Sequence, residues 1–227
     1  LDTRVHLVHI NTAAGASFVE QAKLKGLRVS GETCPHYLYF TQEVYRTGTP
    51  EAANYIIAPA IREQFDQDSL WQALRSGAIS TIASDHCPYN SQQKLQGGDD
   101  FRLVPGGAGG IETSLPILYT YGVETGRISL SQLVTILSAN PAKLFNLYPR
   151  KGVLAPGSDA DIVIYDPLGK STIDSSQLHS NCDHSIFDGV QVHGKIRATI
   201  LRGEVVVEDG KLLKKTPQGE LLLRDPY

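Results

Sequence analysis

Cysteine is scarce in this chain of 227 residues: Cys34, Cys87 and Cys182 are an odd number at wide spacing, with no CxxC pair among them. That argues against a disulfide framework and for a reducing compartment, with the cytoplasm as the expected location. No apolar run approaches the ~20 residues that cross a bilayer, so no membrane partner is expected. The opening LDTRVHLVHI lacks the charged start and apolar centre of a secretory signal. Charge of one sign never accumulates. The 21 basic and 24 acidic residues give a net charge of −3 and are spread along the chain, so no basic stripe points to nucleic acid. Repeats and low-complexity tracts are absent too. What the chain does have is 41% hydrophobic residues, enough for a substantial core in one large domain or one with a small appendage. A soluble globular protein is expected.

Strand-like and helix-like segments alternate through the first part. RVHLVHI (4–10) reads as a buried strand, and AAGASFVEQAKLKG (13–26) as a helix with Phe18, Val19, Ala22 and Leu24 toward one side and Gly26 as its stop. LRVSGETC (27–34) is a second strand and YIIAPAI (55–61) a short extended run broken by proline. DQDSLWQALRSG (66–77) is a helix, and AISTIASD (78–85) a further strand. This order favours a parallel sheet, either barrel or doubly wound. Residues 87–110 turn polar and glycine-rich over a length that marks a functional or mobile loop. Helices are expected over 111–126 and 129–147, the second capped by Ser129 and interrupted near Pro141. Beyond them, DADIVIYD and RATILRGEVVVEDGKLL are strand-rich, the latter a hairpin turning at Arg202–Gly203 and again at Asp209–Gly210.

The strand 78–85 ends on Asp85, followed by His86, Cys87 and Pro88. A carboxylate inside such a strand would carry a large desolvation cost, so Asp85 belongs at a rim or binds something. His9 ends its own strand in the same way. In parallel α/β folds the carboxyl ends of the strands share one face, where sites are built, so the two residues can meet there. Imidazole and carboxylate suit zinc or a related divalent ion, although a strand-end histidine taken alone is more often structural. His6, three positions earlier, points to the other face and reads as structural. His36 either lines the same rim or caps a loop, and His86 is placed to orient a ligand or a substrate from behind. His179, His184 and His193 fall in C-terminal loops and read as surface residues. Cys87 has no fixed histidine partner and reads as buried and inert. Ser84 lacks a G-x-S-x-G setting, and the glycines at 106, 107, 109 and 110 are followed by no Lys-Ser/Thr, so a hydrolase elbow is unsupported and the likeness to a phosphate loop is superficial.

In chain order, VHIN, GETCPHYL, ASDHCPYN, GGIETSLPILY, NPAKLFNLYPRKGVLAPGSDADIVIYDP and GEVVVEDG resemble the cyclic-amide branch of the amidohydrolase superfamily. The nearest group is the hydantoinases and dihydropyrimidinases, with allantoinase and dihydroorotase as neighbours. The resemblance implies an α/β fold: the C-terminal part of a TIM-like (β/α)8 barrel over 1–150, then strands of a small β-sandwich domain and a tail over 151–227. It implies a centre of two divalent ions, often zinc, with His9 and Asp85 as ligands and Asp85 also as general base. The activity implied is hydrolysis of a hydantoin or dihydropyrimidine ring to an N-carbamoyl amino acid, in a homotetramer.

Two departures bear on the ring. Where hydantoinases commonly have serine in an SPPLR-like run this chain has APAIR, so Ala58 offers only its backbone, and Gly106 stands where they commonly have asparagine. Substrate contacts at Ala58 and Gly106 are therefore expected through main-chain groups. A complete barrel typically takes ~250 residues. The superfamily's HxH pair, its bridging carboxylated lysine and a further histidine should lie before residue 1. The expectation is the C-terminal portion of a longer enzyme, inactive without a missing N-terminal half and able to lack bound metal on two ligands alone. Its unpaired strand edges favour association. A non-catalytic scaffold that keeps the barrel for oligomeric contacts is the competing reading.

Overall fold

A computed structural model describes residues 3–98, 100–213 and 216–223. Of the terminal run PQGELLLRDPY, to which the sequence assigns no role, residues 224–227 lie outside the described residues.

Three parallel strands stand side by side in chain order: β1 (Val5–Leu7), β2 (Val29–Thr33) and β3 (Thr81–Ile82). Val5 lies opposite Val29 and Leu7 opposite Gly31, and Thr33 faces Ile82 on the other side of β2. The paired lengths fall short of the apolar runs 4–10 and 78–85 because the chain leaves the sheet where His9 and Asp85 take φ of 55° and 47°. Parallel strands need a crossover, and helices provide it. α1 (Ala13–Leu24) starts on Thr12, whose hydroxyl accepts the Gly15 amide at 3.0 Å. Ala16 and Val19 are its buried stripe. Phe18 and Leu24, expected on the same side as Val19, are instead 69% and 82% exposed. At ~100° per residue they sit roughly 100° and 140° around the helix from Val19, off the face that meets the sheet.

α2 (Pro35–Tyr39) follows β2 directly, and α3 (Gln64–Ser76) precedes β3. α3 buries Leu70, Trp71, Ala73 and Leu74 and ends on Gly77 in the left-handed region. The Trp71 indole donates to the Leu38 carbonyl at 3.0 Å, locking α3 against α2. The 87–110 loop carries a short α-helix, α4 (Ser91–Leu95), and a 3-10 turn at Phe101–Leu103. α5 (Ser114–Leu118) continues as a π-helical turn to Glu124. α6 (Leu130–Val134) passes through a second π turn into α7 (Asn140–Leu144). Ser129 caps α6 as expected, in a reciprocal box with Gln132. The interruption expected near Pro141 takes the form of that wide turn, Thr135–Ala139, which places the proline in the first turn of α7.

The second sheet is antiparallel, in the order β4 (Ile162–Thr172), β5 (Gln191–Leu201), β6 (Glu204–Glu208) and β7 (Lys211–Leu212). Its two tight turns fall where the sequence places them. Arg202, Gly203, Asp209 and Gly210 all have positive φ, as two-residue hairpin turns matched to strand twist require. Phe187 and Val192 join Leu70, Ile79, Ile117 and Leu133 in one apolar core. No helix among the described residues is long and apolar enough to cross a membrane.

Candidate active site

Five residues other than glycine have positive φ among the described residues: His9, Asp85, Asn146, Arg202 and Asp209. Arg202 and Asp209 form hairpin turns and Asn146 follows α7, whereas His9 and Asp85 sit just past the ends of β1 and β3. Left-handed backbone is uncommon outside glycine, costs of the order of 1–3 kcal/mol at a strained residue, and concentrates at functional positions. Here it turns two side chains toward each other. His9 Nε2 lies 3.5 Å from Asp85 Oδ1, with both side chains partly open to solvent. The strand-end placement thus brings together the two residues that the sequence assigns to one cation.

Two further groups crowd the same rim. Cys34, His36 and Asp85 each present a donor atom within 4.8 Å of the others. His36 is buried, and its Nε2 has no hydrogen-bond partner among the described residues. Burial first, and then the nearby His9 charge, lower its pKa to about 3, so the ring is neutral at physiological pH. Burial, reinforced by the charges of Asp85 and Glu32, pushes the Cys34 thiol well up, so it stays protonated. Of the two readings open for His36, the rim is the one it occupies. Its burial could not be read from GETCPHYL, because the proline-started turn of α2 decides which way the ring packs.

His86 turns differently. Its Nδ1 accepts the amides of Gly110 at 3.1 Å and Ile111 at 3.4 Å, so the ring ties the glycine-rich loop to the end of β3. His6 bonds Ser30 at 2.8 Å and approaches Glu32 at 3.4 Å, within the sheet. Cys87, expected to be buried, is instead exposed, because the chain has left the sheet at Asp85. The other donor cluster, Cys182, Asp183 and His184, is engaged locally. Its thiol donates to the Tyr89 carbonyl, Asp183 accepts the Ser91 amide, and His184 pairs with Asp183.

Ala58 and Gly106 come from separate loops and meet. A Cβ built on Gly106 would lie 3.6 Å from both the Cβ and the amide nitrogen of Ala58, and both residues are exposed. They line a cleft of about 1010 Å³ together with Ile56, Ala60, Lys94 and Phe101. The Ala58 segment is held to the rim that carries His9 and His36 at two points. Asn11 donates to the Ala60 carbonyl and the Tyr37 hydroxyl to the Pro59 carbonyl, each at 2.7 Å. The Gly106 loop is held by Gly107, whose amide bonds the Ile56 carbonyl at 3.1 Å. Only glycine fits there: φ is 153° and an added Cβ would stand 2.5 Å from the Cys87 carbonyl oxygen. One residue of this region escapes sequence reasoning altogether: Lys94, in the polar stretch SQQKLQGG, is only 1% exposed and lines the same cleft.

The sequence profile of the Amidohydrolase family matches residues 4–206. The D-hydantoinase of Ralstonia pickettii is 40% identical over 224 residues, which cover 98% of this chain and 49% of that protein. Among solved structures, the D-hydantoinase (dihydropyrimidinase) from Thermus sp. superposes with a TM-score of 0.95 at 37% identity, over 99% of this chain and 49% of its own. The dihydropyrimidinase from Brevibacillus agri gives 0.91 at 42% identity, over 93% of this chain and 46% of its own. The fold is therefore part of a TIM barrel, and the chain spans about half the length of the curated relatives it matches.

Proposed function

Because this chain belongs to the Amidohydrolase family, we propose that it carries one side of a metal-dependent centre that opens a cyclic amide, a hydantoin or dihydropyrimidine ring, to an N-carbamoyl amino acid. The remaining ligands then come from polypeptide outside these 227 residues. One observation carries the reading: His9 Nε2 and Asp85 Oδ1 face each other at 3.5 Å on left-handed backbone, just past the ends of β1 and β3, the two strands that flank β2.

The donor set fits divalent metal. A neutral imidazole and a carboxylate are ordinary zinc ligands, and the rim also holds His36, a buried ring with an unpartnered nitrogen. When bound, a pair of divalent ions would favour ionisation of water and polarise the ring carbonyl. His9 and Asp85 are the residues that would hold them. Asp85 takes the proton of the attacking water and delivers it to the amide nitrogen as the ring C–N bond breaks. Ala58 and Gly106 orient the ring through their amide and carbonyl groups, since neither has a polar side chain. His86 keeps the loop behind Asp85 in place.

The same reading takes 1–150 as barrel and 151–227 as sandwich portion and tail, in a cytoplasmic homotetramer that uses zinc. It is tested by offering the complete polypeptide hydantoin, dihydrouracil, allantoin and dihydroorotate, with and without chelator. Chelator-sensitive ring opening of at least one substrate is expected. Metal-replete protein that opens none of them overturns it.

A further inference from the structure

Lys94 is a fully buried lysine, 1% exposed, and among the described residues no carboxylate bonds it. A lysine that deep usually has an acidic partner, because an ammonium out of water loses its hydration. Here its three N–H donors are aimed otherwise. Nζ donates to the Ile56 carbonyl and to the Pro105 carbonyl, each at 2.8 Å, and lies 5.5 Å from the centre of the Tyr89 ring. Ile56 is two residues before Ala58, and Pro105 immediately precedes Gly106. The Ile56 carbonyl is shared with the Gly107 amide, so a single ammonium and a single amide join the two loops back to back. α4, which presents the lysine, is itself fixed by a reciprocal cap between Asn90 and Gln93.

We propose that Lys94 is a positioning residue for substrate: its ammonium clamps the Ile56 and Pro105 carbonyls so that the main-chain groups of Ala58 and Gly106 stand in register to hold the ring. The proposal rests on the reading of Ala58 and Gly106 as substrate contacts. The two side-chain losses at those positions, serine to alanine and asparagine to glycine relative to the family pattern, leave backbone geometry as the means of recognition, which is what the clamp fixes. Burial lowers the Lys94 pKa to about 8, against opposing pulls from Cys87 and Cys182, so the ammonium is charged at neutral pH.

A second lysine provides the control. Lys23 also donates to backbone carbonyls, those of Gly77 and Ala78, and to the Ser80 hydroxyl, at the opposite ends of the strands. Its role is structural.

The test compares Lys94→Met, Lys94→Gln and Lys23→Met in the complete polypeptide, with ring opening resolved into kcat and KM. Lys94→Met is expected to raise KM at least ~10-fold with kcat within ~3-fold, as loss of binding made equally in ground and transition states requires. Lys94→Gln, whose amide reaches one carbonyl, falls between. Lys23→Met lowers the melting temperature and leaves KM unchanged. Unchanged KM in Lys94→Met overturns the proposal, as does a KM shift of equal size in Lys23→Met. Should Lys94→Met fail to fold, the KM of Lys94→Gln decides in the same way. Hydrogen exchange at the Gly107 amide is the second readout and needs no substrate: exchange at least ~10-fold faster in Lys94→Met is expected from a lost clamp, and unchanged exchange overturns it. If the unmutated protein opens no ring while Gly107 exchange still depends on Lys94, the hydrolase reading fails and the clamp survives as loop architecture.

Discussion

Replacing Gly107 by alanine tests whether the loop carrying Gly106 is held as tightly as its contacts indicate. The added methyl would lie 2.5 Å from the Cys87 carbonyl oxygen, 2.9 Å from its Cβ and 3.0 Å from its Sγ. No flexible side-chain end can yield there, because the nearest atom is backbone, and Cys87 N is itself bonded to the Ala108 carbonyl at 3.0 Å. Overpacking costs ~1–3 kcal/mol and a residue forced into disfavoured φ a further ~1–3 kcal/mol, giving about 2–6 kcal/mol in all. For a chain of this size each kcal/mol moves the melting temperature by roughly 2–4 °C, so a fall of about 4–24 °C is expected in a thermal melt followed by circular dichroism. Gly210→Ala is the comparison. It has φ of 79° with nothing within 4 Å, so only the backbone cost of about 1–2 kcal/mol applies. A Gly107→Ala melt indistinguishable from that of Gly210→Ala would refute the packing argument and, with it, the idea that this loop is rigid.

Other outcomes follow from the same contacts. Asp85→Asn in the complete polypeptide should lower kcat by about 10²–10⁴, the range for a lost acid–base group, with circular dichroism unchanged. Ser129→Ala removes the oxygen that accepts the Gln132 amide at 3.1 Å and should cost ~1 kcal/mol in chemical denaturation. Lys94 binds fewer protons folded than unfolded between pH 8 and 10.5, because its pKa falls from 10.5 to about 8 on folding. Its contribution to stability therefore rises with pH across that window, by no more than ~1.4 kcal/mol per pH unit, and is flat below it. The difference in unfolding free energy between wild type and Lys94→Met, measured from pH 7 to 11, should show that slope. If the proposed metal centre forms, His9→Ala should lower the divalent-metal content of the complete polypeptide, read by atomic absorption after dialysis.

Much of this layout is legible in the residues. Apolar runs at 4–10, 27–34 and 78–85 announce the strands, and the termination of two of them by His9 and Asp85 is enough to place both on one rim. The hairpin glycines at 203 and 210 and the serine cap at 129 are local signals, and each appears where it is read. What escapes is set by tertiary packing. Phe18 and Leu24 look like core residues until the helix period is applied to Val19. Lys94 resembles any surface lysine in a polar loop, because nothing nearby in sequence says that two distant carbonyls will close over it. The left-handed backbone at His9 and Asp85 is equally silent, since both residue types also occur in ordinary extended strands.

That backbone twist narrows what natural or laboratory variation can place at positions 9 and 85. Glycine, asparagine, aspartate and histidine tolerate it, whereas valine, isoleucine and threonine collide with their own main chain. A library randomised at both sites and sorted only for soluble expression should therefore shed its β-branched members first, before any demand for activity is imposed.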